Sequence, residues 1–234
     1  REQAYDDAAL EAAESMLRQA LDLEPGYADA LIELGRIAGA RGRRNGAEES
    51  FAAERDYYQR AMRSVPDSTI AMAGLAWSDL MAMDFASAGA LTAKILAADP
   101  QNLGGLVNAS VLLKYLGRLE AAAEVEQYLV SRDPLSASRH ANLGLTLLSL
   151  ERLEAAEASF RKTLDLRPGD AQTHYWIGVA LLWEGDARGF GSTIEFVAQA
   201  TGARLLFTFD DKNLVNHRHP RGQADAHERL GHRG

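Results

Sequence analysis

Apolar residues recur every three or four positions through most of the chain, the spacing that gathers them on one face of an α-helix. The clearest stretch is 137–170, where one apolar pattern runs through Leu147 and a second runs through Phe160. Polar residues from Glu151 separate the two patterns, and Pro168 ends the second because proline cannot continue a helix. The sequence therefore predicts two helices joined by a short turn.

The prolines repeat this unit along the chain. Four of them are spaced 34 residues apart, and a period between about 20 and 50 residues indicates a stacked repeat array rather than a single core. We therefore predict an all-α fold, an α-solenoid of stacked antiparallel helix pairs with a short irregular C-terminal tail. The array is predicted to fill residues 1–188, with a half repeat at 1–25, repeats at 28–66, 69–102, 103–136 and 137–170, and a partial repeat at 171–188.

One repeat is longer than the others. Pro66 follows Pro25 by 41 residues, seven more than the period, and the excess falls near residues 41–46, which are rich in glycine and arginine. Glycine and asparagine in such a run are typical of a loop between helices. We predict a solvated loop here, since three arginines are too few for a nucleic-acid patch.

The pattern stops after Ala187. Ser192 and Glu195 have the spacing of a capping box, which predicts a short helix that replaces the missing second helix as a cap. Residues 204–209 favour a strand, and residues 210–234 are polar and without periodicity, which is typical of disorder.

Small residues stand at fixed places in the unit. Gly35, Gly144 and Gly178 each follow a leucine or isoleucine in the first helix, and Ala156 and Phe160 stand in the second. With the terminal proline, these residues resemble the tetratricopeptide repeat family over roughly residues 6–187. The resemblance implies a superhelix whose first helices line a concave groove. More loosely, residues 133–136 and 142–144 resemble repeat regions of bacterial adenylate-cyclase-type and winged-helix regulatory proteins.

Composition and charge argue against two classes of function, membrane crossing and nucleic-acid binding. The chain is 25% charged and 47% hydrophobic, and it has no run of 18 apolar residues, so we predict no membrane span. Its net charge is -8, and residues 1–188 hold 19 basic and 28 acidic side chains, a net charge of -9. An acidic array lacks the clustered cations that bind a phosphate backbone, so we expect no nucleic-acid partner.

Catalytic motifs are absent from the sequence. It has no phosphate loop, no glycine-rich dinucleotide turn, no nucleophile elbow and no cysteine, and the histidines near its end lack the spacing of a metal site. We therefore expect no enzyme activity, no cofactor and no metal.

The resemblance assigns the groove to the second, fifth, ninth, twelfth and thirteenth residues of each repeat. Most of these residues are apolar, with Lys114 and Arg36 as the charges. The sixth position holds asparagine twice, which either bonds a peptide backbone or makes local hydrogen bonds between helices. Our candidate ligand-binding residues are Trp77, Leu80, Met81, Asn108, Val111, Lys114, Tyr115, Asn142, Leu145, Tyr175, Val179 and Trp183, and Ile70, Ala73 and Gly104 occupy further groove positions.

The favoured function is a protein-interaction scaffold that binds a peptide or helix in an apolar groove, with Trp77, Tyr115, Tyr175 and Trp183 as anchors. The same face is alternatively filled by self-association. A different hypothesis makes the chain the regulatory or sensory arm of a larger enzyme or transcription regulator, because it opens at Arg1 with half a repeat, as an excised fragment would. The compartment stays open, with the cytoplasm favoured.

Overall fold

The computed structural model describes residues 7–185, which form ten α-helices and no strand. The predicted all-α fold of helix pairs is confirmed. The predicted cap helix, strand and disordered tail at 189–234 lie outside the described residues. The helices are α1 (Asp7–Leu23), α2 (Ala28–Asn45), α3 (Glu48–Ser64), α4 (Thr69–Met81), α5 (Phe85–Ala98), α6 (Leu103–Tyr115), α7 (Leu119–Arg132), α8 (Ala137–Ser149), α9 (Leu153–Leu166) and α10 (Ala171–Glu184).

The helices belong to two compact units. The first extends to Asp133 and contains α1 to α7, and the second starts at Pro134 and contains α8 to α10. Within the first unit, α2, α4 and α6 are the first helices of three pairs, α3, α5 and α7 are the second helices, and α4 packs against both α2 and α6. Within the second unit, α9 packs between α8 and α10.

Side-chain caps fix where several helices begin. The side chains of Ser68, Asp84 and Asn102 accept hydrogen bonds from backbone N–H groups three residues later, at 3.3, 3.1 and 3.0 Å. Each bond satisfies a donor that the first turn of a helix leaves free. At Asp84, the hydrogen bonds from Ser87 are the main cause that lowers the pKa of the carboxyl.

The predicted loop at 41–46 is wrong, because α2 continues to Asn45. Helix α2 has 18 residues and α3 has 17, whereas α4 has 13 and α5 has 14. Five additional residues in α2 and three in α3, less one in the turn between them, account for the seven-residue excess. The insertion therefore lengthens a helical hairpin.

Glycines allow this long pair to pack closely. An added Cβ would lie 3.0 Å from Tyr58 at Gly35, 2.0 Å from the Glu54 carboxylate at Gly39 and 2.9 Å from the Phe51 ring at Gly42. A glycine in the middle of a helix costs about 1 kcal/mol relative to alanine, and here the close approach explains its presence. In the turn that follows, Gly46 has a left-handed backbone with a φ of 69°, a conformation that glycine adopts readily.

The second helices pack against the small residues of the first. An added Cβ at Gly144 would lie 2.5 Å from the Phe160 ring, as the predicted close contact of these helices requires. Thr92 and Glu126 stand 34 residues apart at the position of this aromatic ring in the two central repeats, and both are buried. Among the described residues, Thr92 Oγ1 and Glu126 Oε2 have no hydrogen-bond partner. Two polar side chains thus replace the aromatic ring in the central repeats.

Two histidines stabilise the starts of α8 and α10. His140 Nε2 lies 2.9 Å from the carbonyl oxygen of Pro134, and His174 Nε2 lies 3.2 Å from that of Pro168. Both pairs occupy the same place in their repeats. The bonds hold the proline turn against the helix that follows, so these side chains have a structural role.

Candidate binding face of the first helices

Each unit has its own first-helix face, which consists of the side chains at the second, fifth, ninth, twelfth and thirteenth positions of its first helices. These helices are α2, α4 and α6 in the first unit and α8 and α10 in the second. On α4, Trp77 is half-buried and Met81 is exposed. Leu80 is 0% exposed, so this candidate belongs to the core and cannot contact a ligand in this conformation. On α6, Val111 is half-buried and Tyr115 is 51% exposed.

Tyr115 is held by a neighbouring helix. Its ring lies 4.9 Å from the ring of Phe85, with an angle of 40° between their planes. Phe85 is the first residue of α5, so the second helix of the preceding pair supports the ring while half of Tyr115 stays open. An aromatic side chain that is fixed before binding loses little entropy when a partner packs on it.

The cation of Lys114 is already paired. Its Nζ lies 2.8 Å from Glu126 Oε1, and the Glu126 side chain is almost fully buried in α7. Breaking a pair that includes a buried carboxylate leaves that charge uncompensated, which is strongly unfavourable. Lys114 therefore stabilises the α6–α7 pair.

The two asparagines differ in their surroundings. Asn108 is 2% exposed, and its Nδ2 donates a hydrogen bond to the carbonyl oxygen of Ala73 at 3.0 Å. This bond joins α6 to α4 and corresponds to the alternative of local hydrogen bonding between helices. Asn108 is not open to a peptide backbone, whereas Asn142 on α8 is exposed.

In the second unit, the exposed aromatics lie on α10. Trp183 is 55% exposed, and the exposed Tyr175 packs edge to face on Trp176, with 5.0 Å between ring centroids. Leu145 on α8 and Val179 on α10 are half-buried. The candidates of this unit thus divide into exposed aromatic rings and partly covered aliphatic side chains.

The first unit contains a pocket of about 350 Å³ that our candidate list did not include. It lies between α2, α4 and α6, and we call it the α2–α4–α6 pocket. Four of its residues, including Arg36, occupy first-helix positions that the sequence indicates, and its other polar groups come from a second helix and from helix starts. The lining residues are Arg36, Tyr58, Thr69, Ile70, Ala73, Gly74, Asn102, Leu103 and Gly104.

Tyr58 forms the buried wall of this pocket. Its ring lies between Gly35 and Gly74, where an added Cβ would come within 3.0 and 2.4 Å of ring carbons. Burial is the main cause that raises the pKa of Tyr58 to about 12, and the nearby Glu54 carboxylate adds to it. The phenol is therefore protonated, and able to donate, at every physiological pH.

Neither metal binding nor membrane crossing has support in the part of the chain that the structure describes. Residues 7–185 contain no group of three or more histidine, aspartate or glutamate side chains that could hold a metal ion. None of the described helices has the length and apolar character needed to cross a membrane.

Comparison with known proteins supports the predicted repeats in part of the chain. A family model described as tetratricopeptide repeat matches residues 109–171 and 141–187. This part of the chain carries tetratricopeptide repeats. No curated protein matches the sequence. The looser resemblance to adenylate-cyclase-type and winged-helix regulatory proteins has no support among these matches.

Solved structures extend the likeness to most of the chain. YrrB, described as a TPR protein with an unusual peptide-binding site, is 17% identical with a TM-score of 0.53, and the match covers 80% of this chain and 92% of YrrB. MamA from Desulfovibrio magneticus RS-1 is 19% identical with a TM-score of 0.54, covering 74% and 94%. PilF from Pseudomonas aeruginosa is 25% identical with a TM-score of 0.62, covering 74% and 76%. These likenesses show the helical-repeat fold.

Proposed function

We propose that the chain is a protein-interaction scaffold in which the first-helix face of either unit binds a linear segment of a partner protein. The observation that carries the proposal is the set of aromatic side chains that this face leaves open to solvent. Trp77 is half-buried, and Tyr115, Tyr175 and Trp183 are exposed on α6 and α10.

The tryptophans lie on first helices only. All three tryptophans of the chain, Trp77, Trp176 and Trp183, lie on α4 and α10. Aromatic side chains supply a large share of binding energy at protein interfaces, where a few residues account for 2 kcal/mol or more each. Leu80, Lys114 and Asn108 support the helices beneath this face, and the proposal does not assign them to the partner.

The peptide-binding site reported for YrrB agrees with this proposal. Within one unit, packed helices present several side chains at fixed spacing, so a segment can bind without a large change in that unit. We propose no catalytic role for the described residues.

A random-peptide library selected on the full chain tests the proposal. We expect the selected peptides to bind Trp77→Ala and Tyr115→Ala at least tenfold more weakly, because each change removes an aromatic anchor. Val65→Ala is the matched control, since Val65 is an exposed apolar residue that follows the second helix α3. Equal affinity for all variants would show that the peptides bind elsewhere.

A further inference from the structure

We propose that the α2–α4–α6 pocket is a subsite for a partner segment in which an aspartate or glutamate stands next to a large apolar residue. The inference rests on the proposed function and assigns the chemistry of one position in the bound segment. It depends only on residues of the first unit.

The pocket contains hydrogen-bond donors that have no partner among residues 7–185. Tyr58 is 5% exposed, yet its hydroxyl makes no hydrogen bond with any described residue. Asn102 Oδ1 accepts the bond from Gly105 N at 3.0 Å, which leaves its Nδ2 group free among the described residues. A ligand that supplies acceptor oxygens can accept hydrogen bonds from these two groups in place of water.

The positive charge of Arg36 favours a carboxylate as the acceptor group of the ligand. Arg36 is the only charged residue that lines the pocket, although the chain as a whole has a net charge of -8. Arg36 pairs with Glu33 at 2.6 Å, but both side chains are about half exposed and three residues apart on one helix. Such a surface pair is weak, so a ligand carboxylate can compete with Glu33 for the guanidinium.

The remaining walls are apolar and open. Ile70 and Leu103 are exposed large hydrophobic residues at the pocket. Gly74 and Gly104 contribute no side chains, and the first-helix backbones approach so closely that an added Cβ at Gly104 would lie 2.9 Å from the Cβ of Ala73. A volume of about 350 Å³ lies at the low end of the range for ligand pockets. These dimensions suit one large side chain with its neighbouring carboxylate.

Two conservative variants test the chemistry without disturbing the core. Arg36→Gln removes the charge, and Tyr58→Phe removes the hydroxyl while keeping the ring between Gly35 and Gly74. Peptides selected on the full chain should contain an acidic residue next to a phenylalanine, leucine or isoleucine. In fluorescence-anisotropy titrations, we expect about tenfold weaker binding to Arg36→Gln and several-fold weaker binding to Tyr58→Phe.

Matched controls are available on α7, which contributes nothing to the pocket. Arg132→Gln makes the same charge change and Tyr128→Phe removes a hydroxyl elsewhere, so both should bind within about twofold of the unchanged chain. Replacing the acidic residue of the peptide by its amide should weaken binding to the unchanged chain about tenfold. The same replacement should have little effect on Arg36→Gln, because the two groups then no longer interact.

The outcomes separate this inference from the proposed function. Peptides that lose affinity for Trp77→Ala and Tyr115→Ala but bind Arg36→Gln and Tyr58→Phe normally would overturn the pocket chemistry and leave the scaffold intact. Peptides that bind normally to all four variants, and also to Tyr175→Ala and Trp183→Ala, would overturn both. If no acidic peptide is selected but phenylacetate shifts the NMR signals of Gly74 and Gly104, the pocket binds small acids, which also overturns the inference.

Discussion

Gly144 and Phe160 show at the residue scale how the second unit is held together. An added Cβ at Gly144 would lie 2.5 Å from the Phe160 ring, and Phe160 is fully buried. The absence of a side chain on α8 is what leaves room for the ring of α9. Alanine would have the better helix propensity at this position, but its Cβ would clash with the ring. At 2.5 Å the clash is the larger effect.

Gly144→Ala should lower the free energy of unfolding by about 1 kcal/mol. Alanine gains up to about 1 kcal/mol of helix propensity, but moving the buried ring costs about 1 to 3 kcal/mol. Gly89→Ala is the control, because Gly89 is inside α5 with no other atom within 4 Å of an added Cβ, so the same change should stabilise the chain. Urea unfolding of both variants measures the difference, and stabilisation by Gly144→Ala would contradict the packing account.

Glu54 is a second residue whose surroundings determine its behaviour. It is 2% exposed, and its carboxylate lies 3.5 Å from the Arg43 guanidinium. Its Oε2 atom has no hydrogen-bond partner within residues 7–185. Burial raises the pKa of Glu54 above its ordinary value of 4.5, and Arg43 offsets only part of this effect. The folded chain therefore binds this proton more tightly than the unfolded chain, and the ionised carboxylate lowers stability.

Glu54→Gln should raise the free energy of unfolding near pH 8. The cost of the ionised carboxylate begins as the pH rises above about 4.5 and is complete once the pH exceeds the raised pKa. The difference between the variant and the unchanged chain should therefore shrink as the pH falls toward 4.5. Urea unfolding across this range measures it, with Glu124→Gln on the exposed surface of α7 as the control. A difference that grows toward acid pH would have the wrong sign.

At the scale of the elements, the turns between paired helices use one backbone conformation. Met83, Gly117 and Glu151 are spaced 34 residues apart and have φ values of 62°, 71° and 58°. Left-handed backbone is readily adopted by glycine and costs other residues roughly 1 kcal/mol or more. The repeat therefore imposes the turn even where the residue does not favour it.

Substitutions in two of these turns should change stability in opposite directions. Met83→Gly relieves the left-handed strain, and since Met83 is exposed, it loses little packing, so we expect a gain of about 0.5 kcal/mol. Gly117→Ala introduces the strain and should lower stability by about 1 kcal/mol. Thermal unfolding followed by circular dichroism measures both changes, and equal responses would show that the turn conformation does not determine them.

The elements also show where sequence patterns suffice. The 34-residue spacing of proline and the alternation of two apolar patterns predicted the helix pairs from α4 to α9. The same reasoning failed at α2, because glycine and arginine occur both in loops and on a closely packed helix face. Only the residues opposite the glycines, Phe51, Glu54 and Tyr58, distinguish the two cases, and their contacts depend on the fold.

At the scale of the whole molecule, sequence reasoning predicted only part of the candidate binding residues correctly as exposed. Counting positions along the first helices predicted the exposed Met81 and Tyr115, but not that Leu80 and Asn108 would be buried, since the depth of a side chain depends on its neighbours. The count included four residues of the α2–α4–α6 pocket but not Tyr58 from a second helix or the cap residue Asn102. A site built from several elements has no single sequence pattern.

Photo-cross-linking of a selected peptide tests the central claim, that the first-helix face binds the partner. Benzoylphenylalanine is introduced at Met81 and Tyr175 on first helices, and at Glu124 and Glu154 on second helices, all four being exposed. We expect cross-links to the peptide from at least one of the first-helix sites and none from the second-helix sites. Cross-links only from Glu124 or Glu154 would contradict the claim.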